Sequence, residues 1–413
     1  MSEMDSSSES GDSLHEKVID SFRAEKEEAI LKACKQRDLT KLRALAESHG
    51  GFLSDEIRRQ AWPILLGIPP KYDQDSEPSW ESLPPHKDED QVQLDVDRAF
   101  CYYPEHETEH ERNLQKFQLS SLILSVLRRY PYLHYFQGYH DICQVLLLVL
   151  PPSLRSIALA RLSALRIRDF MLPNLQAAIA QLRLIPDILR VSDPKLWRHL
   201  SGTEPFFALS GTLTMYAHDI TTLGEITRLF DVLLAREPVF SVYMFAAIVR
   251  SRREELFDTP EDEPEMLHSI LSKLPKPLNL EGLIKDTVAL FENYPPERLP
   301  SWRWGISGNS VLKTAREESG TGKEQGTERR GGGGGVAMGQ TMEDGKRFFE
   351  KQVRELMWME RGKKAKKWMW KNRRPVRTLG LAVLVGVIAI LLRRAPGGPM
   401  AWVLGVVNRW WAR

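Results

Sequence analysis

An all-α fold is predicted for this chain of 413 residues. Apolar residues recur along it at spacings of three and four, no run has the alternating pattern of a β-strand, and Pro or Gly interrupts the helical runs. These runs fill residues 51–298 without a fixed-period repeat. The sequence therefore predicts one large helical domain, followed by a C-terminal membrane-anchor helix.

The composition is that of a globular protein with tails. Hydrophobic residues make up 42% of the chain and charged residues 27%, with a formal net charge of +2, which argues against a nucleic-acid partner. The three cysteines have no paired spacing, so we expect a reducing compartment and no cysteine metal site. The N-terminus has no apolar h-region, so we expect no cleaved signal peptide.

Two segments precede the predicted domain. Residues 1–14 are rich in Ser and acidic residues and have no apolar periodicity, so we expect a disordered tail. Residues 15–50 have helical spacing and end at two glycines, Gly50 and Gly51, which predicts a helical lead-in.

The domain opens with an amphipathic helix. Ser54 is a natural N-cap with acidic residues behind it, and the apolar residues from Ile57 onward mark one buried face. Trp62 and Pro63 interrupt this run, and Pro63 would kink an ordinary helix.

A carboxylate and an arginine lie one turn apart in the segment Val92-Gln-Leu-Asp95-Val-Asp-Arg98. On a helix, Asp95 can orient the Arg98 guanidinium. We expect the helix to end near Arg98, where a long side chain would project over a neighbouring protein. A surface ion pair without further function has the same pattern.

A glutamine stands in the aromatic segment Tyr135-Phe-Gln137-Gly138-Tyr-His-Asp141, just before an apolar run. Gly138 permits a backbone geometry that other residues resist, and Asp141 can cap the helix that follows. The alternative interpretation is a well-packed aromatic turn.

In this order, the two segments resemble the paired arginine and glutamine motifs of the TBC-domain family of Rab GTPase-activating proteins. The resemblance covers residues 51–274. It is also carried by the opening run with Arg58 and Trp62, by Arg168-Asp-Phe-Met171, and by the later Arg228-Leu-Phe-Asp231. Gly211 stands where several relatives have a tryptophan, which affects the packing of that helix rather than the two motifs.

The resemblance implies a mechanism in which both catalytic side chains come from the activator. Arg98 would neutralise charge developing on the phosphates, Gln137 would position the hydrolytic water, and Asp95 would orient Arg98. Tyr135, Gly138 and Asp141 would support these groups, and the structural signature would be Arg58, Trp62, Arg228 and Asp231. The implied partner is a Rab GTPase of early secretory traffic in its GTP form.

The chain has no phosphate-binding loop of the form Gly-x-x-x-x-Gly-Lys-Ser/Thr. GTP and Mg²⁺ would therefore be bound by the partner, and we expect neither a cofactor nor a metal of its own. The chain would supply catalytic residues in trans and have no independent active site.

Two alternatives differ in class. One is a membrane-anchored scaffold that binds a Rab GTPase without turning it over. The other is a zinc metalloprotease, because His106-Glu107-Thr-Glu-His110 matches the zinc-protease helix pattern. The polar flanks of this segment and the lack of a third ligand at a recognisable spacing argue against zinc.

The C-terminal region divides by composition. We expect a flexible Gly-rich linker at 299–345, a basic juxtamembrane segment at 346–377, a transmembrane anchor at 378–393 and a short tail at 394–413. Positive charge is denser before the anchor, so the domain should face the cytoplasm. The resemblance favours the endoplasmic reticulum membrane, with the mitochondrial outer membrane as the alternative. A second apolar patch at 400–407 leaves a hairpin as the alternative to a single span.

Overall fold

The structure, a computed structural model, describes residues 8–71, 79–104, 108–316 and 339–371. The chain divides into two compact units, Met1–Val353 and Arg354–Arg413. Within the described ranges every regular element is helical and no β-strand occurs. The all-α prediction is therefore confirmed.

The described residues contain nineteen α-helices. In chain order they are α1 (Ser8–Gln36), α2 (Leu39–Glu47), α3 (Asp55–Leu65), α4 (Glu89–Asp97), α5 (Glu109–Arg129), α6 (Tyr139–Val149), α7 (Pro152–Leu165), α8 (Gln176–Leu182), α9 (Leu184–Ser192), α10 (Pro194–His199), α11 (Leu209–Leu213), α12 (Leu223–Ala235), α13 (Phe240–Ser251), α14 (Arg253–Phe257), α15 (Pro264–Leu271), α16 (Leu280–Asn293), α17 (Pro300–Trp304), α18 (Val311–Thr314) and α19 (Met342–Lys371). Short 3-10 helices lie at Trp80–Ser82, Arg168–Met171, Pro205–Ala208 and Pro296–Arg298.

Helix α6 lies at the centre of the larger unit. Nine of its eleven residues are buried, and it packs against α3, α4, α5, α7 and α12. A helix that is apolar on nearly every side has no solvent-facing stripe, so it must be enclosed by other helices. The apolar run that follows Asp141 in the sequence lies within this helix, which begins at Tyr139.

The start of the domain is fixed by one buried carboxylate. Asp231 of α12 is fully buried and accepts hydrogen bonds from the Phe52 backbone N–H at 3.0 Å, Arg58 Nε at 3.0 Å and Trp62 Nε1 at 2.8 Å. Burying a carboxylate is costly unless its oxygens are paired, and here all the donors come from one segment. The bonds join α3 and the turn before it to α12.

The prediction of a flexible linker at 299–345 is wrong for the two parts that the structure describes, 299–316 and 339–345. Trp302 and Leu312 are buried, and Arg168 donates to the Asn309 carbonyl at 2.7 Å and to Thr314 Oγ1 at 3.0 Å. The adjacent Asp169 accepts from the Val311 N–H at 3.0 Å. Two consecutive buried charges need partners, and the polar residues of this segment supply them. The glycine run at 331–335 lies outside the described residues.

Helix α19 is attached to the same two charges. The buried Gln352 amide accepts from Arg168 Nε at 2.9 Å and donates to Asp169 Oδ1 at 2.8 Å, and Phe349 packs on Tyr132 with ring centroids 5.0 Å apart. The larger unit therefore extends to Val353, well past the predicted boundary at 298. A fragment ending at Trp302 would leave Arg168 and Asp169 without several of these partners.

The N-terminal tail differs from the prediction, and the basic segment has a structure for which no prediction was made. Helix α1 starts at Ser8, inside the 1–14 tail predicted to be disordered, because an established helix extends at little cost into residues that would not nucleate one alone. The basic segment predicted at 346–377 is helical as far as Lys371. In the described ranges no helix is long and apolar enough to cross a membrane, and the predicted anchor at 378–393 lies outside them.

Candidate functional site

Arg98 forms the end of α4, as the sequence predicted. It is the C-cap residue, its side chain is 52% exposed, and its Nη2 donates to Asp95 Oδ1 at 2.6 Å. An ion pair with an exposed partner stabilises a fold by at most about 1 kcal/mol, so this contact mainly orients the guanidinium. A guanidinium has five N–H donors, and the contact with Asp95 leaves others for a ligand.

Asp95 is itself held firmly. Its side chain is 1% exposed, and it also accepts from Gln91 Nε2 at 3.1 Å and from the Tyr135 hydroxyl at 2.7 Å. Burial, with the Asp95 carboxylate adding to it, raises the pKa of Tyr135 far above its usual value, so the hydroxyl keeps its proton. A carboxylate with three donors has little freedom to turn away from Arg98.

Tyr135 joins the arginine helix to the glutamine segment. Its backbone N–H donates to Asp88 Oδ2 at 3.0 Å, and its hydroxyl donates to Asp95. Asp88 is the N-cap residue of α4, so one tyrosine is bonded near both ends of that helix. Glu89 and Arg128 form a two-bond ion pair that ties α4 to α5. The positions of the two motifs are therefore coupled.

Gln137 lies exposed between two anchored neighbours. Phe136 is buried against Tyr139 and Phe170, with ring centroids 5.5 and 6.1 Å apart. Gly138 has φ +95°, and a Cβ there would lie 2.6 Å from Thr214 Cγ2. Both the left-handed backbone and the close approach require glycine. These two neighbours hold the loop so that the amide between them faces solvent.

Asp141 does not cap the helix that follows, contrary to the prediction. Helix α6 starts at Tyr139 with Gly138 as its N-cap residue, which places Asp141 in the first turn. Its carboxylate instead lies between two histidines, with Oδ1 3.2 Å from His140 Nε2 and Oδ2 3.1 Å from His218 Nδ1. The positive φ of Gly138 lets the helix begin earlier than the sequence pattern indicated.

His140 is a buried imidazole between two carboxylates. Its Nδ1 lies 3.5 Å from Asp95 Oδ2 and its Nε2 lies 3.2 Å from Asp141. Burial lowers the pKa of His140 despite both carboxylates, so the ring is neutral at neutral pH. A neutral imidazole has one N–H, and the shorter distance favours donation to Asp141.

These groups surround one open cleft with a volume of about 540 Å³. Its polar side includes Arg98, Gln137, His140 and His218. The other cleft residues are mostly apolar or aromatic, and they are His134, Tyr135, Phe136, Gly138, Phe170, Leu172, Pro173, Asn174, Leu175, Leu209, Ser210, Leu213 and Thr214. An exposed cation and an exposed amide beside an apolar wall suit an anionic group presented by a docked macromolecule.

The predicted structural signature lies elsewhere. Arg58, Trp62 and Asp231 form the buried cluster described above, and none of them lines the cleft. Arg228 does not bond to Asp231. It donates to Glu281 at 2.6 and 3.0 Å and to the Ala46 carbonyl at 2.8 Å, so it joins α12 to α16 and α2.

The zinc alternative gains no structural support. His110 is exposed in the first turn of α5, whereas His106 and Glu107 lie outside the described residues. No group of three His, Cys, Asp or Glu side chains in the described part of the chain is arranged to hold a metal ion.

Sequence analysis missed His218 as a cleft residue. Apolar residues at helical spacing continue from Phe206 as far as Ala217, but α11 ends at Leu213 because Met215 and Tyr216 take left-handed backbone conformations. That reversal brings His218 to Asp141. Sequence periodicity carries no signal for two consecutive residues of positive φ, which are uncommon outside glycine and asparagine.

A family model described as the Rab-GTPase-TBC domain matches residues 55–257 of this chain. The GTPase-activating protein gyp10 of Schizosaccharomyces pombe is 34% identical over 280 residues, which cover 67% of this chain and 74% of gyp10. TBC1 domain family member 20 of Bos taurus is 36% identical over 269 residues, covering 63% of this chain and 65% of that protein.

Among solved structures, the Ypt/Rab-GAP domain of Gyp1p matches with a TM-score of 0.47 and 15% identity. The match covers 62% of this chain and 94% of that domain.

Proposed function

This chain belongs to the Rab-GTPase-TBC domain family of Rab GTPase-activating proteins, and we propose that it accelerates GTP hydrolysis by supplying both Arg98 and Gln137. The observation that carries this mechanism is the cleft: the two side chains come from different segments, both are exposed, and both line the same opening. Tyr135 couples the segments by hydrogen bonds to both ends of α4.

In this mechanism Arg98 enters the nucleotide site of the docked GTPase. Charge spreads over the oxygens of the transferred phosphoryl group in the transition state, and a guanidinium stabilises it without any proton transfer. The bond to the buried Asp95 limits the directions in which Arg98 can point. Less ordering of the side chain is then needed on docking.

Gln137 positions the attacking water. An amide side chain offers one donor group and one acceptor, which suffice to hold a water in line with the bond that breaks. GTP and its Mg²⁺ are bound by the partner GTPase, and this chain supplies side chains in trans.

The substrate is proposed to be a Rab GTPase of early secretory traffic in its GTP form. A cleft of this kind recognises features common to GTPases, whereas discrimination between them depends on scattered contacts around it. The membrane on which the protein resides then limits the GTPases it meets.

We propose that the C-terminal part associates with the endoplasmic reticulum membrane, with the domain on the cytoplasmic side. The composition of the described part of α19 that begins at Arg354 is compatible with contact at a membrane surface. Its exposed side chains include Trp358, Trp368 and Trp370, and tryptophan is enriched at membrane–water interfaces. The same stretch contains four lysines, Lys363, Lys364, Lys366 and Lys367, and basic residues are attracted to the anionic cytoplasmic leaflet.

The function is tested by single-turnover GTP hydrolysis across a panel of Rab GTPases, with binding to their GTP forms measured in parallel. We expect strong acceleration of one or a few members, with the Gln137→Ala variant binding the same members without accelerating them. Binding by the wild-type chain without acceleration would instead support the scaffold alternative. A soluble fragment for this experiment should extend through Val353, because Gln352 bonds to Arg168 and Asp169.

The location is tested by protease protection in microsomes that contain the chain with a C-terminal tag. We expect protease to digest the domain while the membrane shields the tag, as a single span requires. An accessible tag on a protein that resists alkaline extraction would support the hairpin, and complete release by alkaline extraction would contradict anchoring.

A further inference from the structure

We propose that His218 is a second cation of the cleft, which binds an anionic oxygen of the docked GTPase–nucleotide complex while Asp141 holds its ring. This inference rests on the proposed function, because it assigns a further contact to the same docked partner. The oxygen belongs either to the terminal phosphate of the nucleotide or to a carboxylate of the GTPase. Both offer a charged acceptor to an imidazolium N–H.

The geometry places His218 for such a contact. Its side chain is 60% exposed and lines the cleft together with Arg98. Nδ1 lies 3.1 Å from Asp141 Oδ2, so that nitrogen is engaged and Nε2 is the donor left for a ligand. Asp141 is mostly buried, with a side chain 15% exposed, and it keeps the ring in one orientation.

Arg98 and His218 stand at the two ends of one row of polar groups. From Arg98 the row runs through Asp95, His140 and Asp141 to His218, with successive distances of 2.6, 3.5, 3.2 and 3.1 Å. The interior histidine is buried, and only the two ends are exposed cations. Each end is thus a positively charged donor backed by a carboxylate, an arrangement that favours anions without leaving a buried charge unpaired.

The surroundings favour the charged form of His218. The hydrogen bond to Asp141 raises its pKa above the usual value, and the charges of Asp141 and Asp219 act in the same direction. Burial and the Arg98 charge act against it, but the net direction is upward. A raised pKa means that the cation is present below that pKa and is lost as pH rises through it.

The test measures GTPase stimulation from pH 6 to pH 8.5 with the full-length chain and the Rab GTPase that it activates most strongly. For the wild type we expect stimulation to fall on the order of ten-fold as His218 loses its proton, the size of a lost charge-assisted hydrogen bond. The His218→Ala variant should be low throughout, so that the ratio of wild type to variant falls towards one at high pH. His218→Lys, which stays charged, should recover stimulation at pH 8.5.

The ratio of wild-type to His218→Ala stimulation cancels any pH dependence that comes from GTP or from the GTPase, because both are the same in the two assays. His110→Gln is the matched control: it also removes an exposed histidine, but from outside the cleft, and it should keep the wild-type pH profile. A His218→Ala variant whose pH profile runs parallel to that of the wild type would overturn the inference. Lack of stimulation by the wild type at every pH and across the panel would instead refute the proposed function.

Binding measurements identify the source of the oxygen. If His218 contacts the terminal phosphate, its replacement weakens binding to the GTPase loaded with a non-hydrolysable GTP analogue and leaves binding to the GDP form unchanged. If it contacts a carboxylate of the GTPase, both forms lose affinity. Unchanged affinity for both forms, together with unchanged stimulation, would refute the contact.

Discussion

Replacing Arg98 by alanine should lower the stimulated rate of GTP hydrolysis by about 10³- to 10⁵-fold, the range attributed to arginine fingers. No other arginine or lysine lines the cleft in the described part of the chain, so no side chain there can replace the guanidinium. Because Arg98 is half exposed and bonds mainly to Asp95, the variant should fold normally. Single-turnover hydrolysis at saturating activator measures the loss.

Two variants control for this result. Arg98→Lys keeps the charge but loses the planar fork, so we expect it to recover little of the rate. Arg190→Ala removes an exposed arginine of α9 that is outside the cleft and should behave as wild type. A folded Arg98→Ala protein that keeps most of the wild-type stimulation would show that the catalytic arginine is another residue.

Replacing Asp231 by alanine should destabilise the larger unit by about 3–5 kcal/mol, the cost of removing one partner from a buried ion pair. The change leaves the Phe52 N–H and Trp62 Nε1 without their acceptor, and it leaves Arg58 with Asp55 as its remaining carboxylate. Urea-induced unfolding followed by circular dichroism measures the loss.

Asp286→Ala is the matched control for Asp231, because it removes an exposed aspartate from α16 and should change stability by no more than about 0.5 kcal/mol. Asp231→Asn keeps acceptor oxygen at the same position and should cost less than alanine does. An Asp231→Ala protein as stable as wild type would show that the cluster does not hold the start of the domain in place.

The sequence carried enough information to predict the fold because the helices differ clearly in pattern. Helix α6 is apolar on nearly every side, α3 begins after Ser54 with two acidic residues in its first turn, and Pro or Gly separates the runs. Such local signals determine which segments are helical. They do not determine which helices pack together, so they could not predict the hydrogen bonds of Arg228 to α16 and α2.

The residues proposed for the site were chosen through motif resemblance together with local helix geometry. Asp95 and Arg98 are one turn apart, so their contact follows from the helix alone. The contact of Tyr135 with Asp95 spans forty residues of sequence, and no periodicity encodes it. Gly138 was correctly expected to have unusual backbone geometry, but the prediction that Asp141 caps the helix was wrong.

The C-terminal boundary of the unit was missed because polarity alone does not distinguish a linker from a segment that pairs with buried charges. Ser310 and Gln352 are polar, yet both are buried beside Asp169. Only the positions of Arg168 and Asp169 in the folded core show why polar residues are required there.

The packing around Gly211 could not be predicted from the sequence either. The space beside Gly211 is filled by Tyr216 and Phe245, which the composition of that helix does not reveal.

GTPases can carry a glutamine of their own that orients the attacking water. The most direct measurement uses a Rab GTPase in which that glutamine has been replaced by alanine. If this chain supplies the glutamine, the wild-type chain should still accelerate hydrolysis by that GTPase variant, and the Gln137→Ala chain should not accelerate hydrolysis by either the variant or the normal GTPase. The mechanism would be contradicted if the GTPase variant were unresponsive to the wild-type chain while the Gln137→Ala chain still activated the normal GTPase.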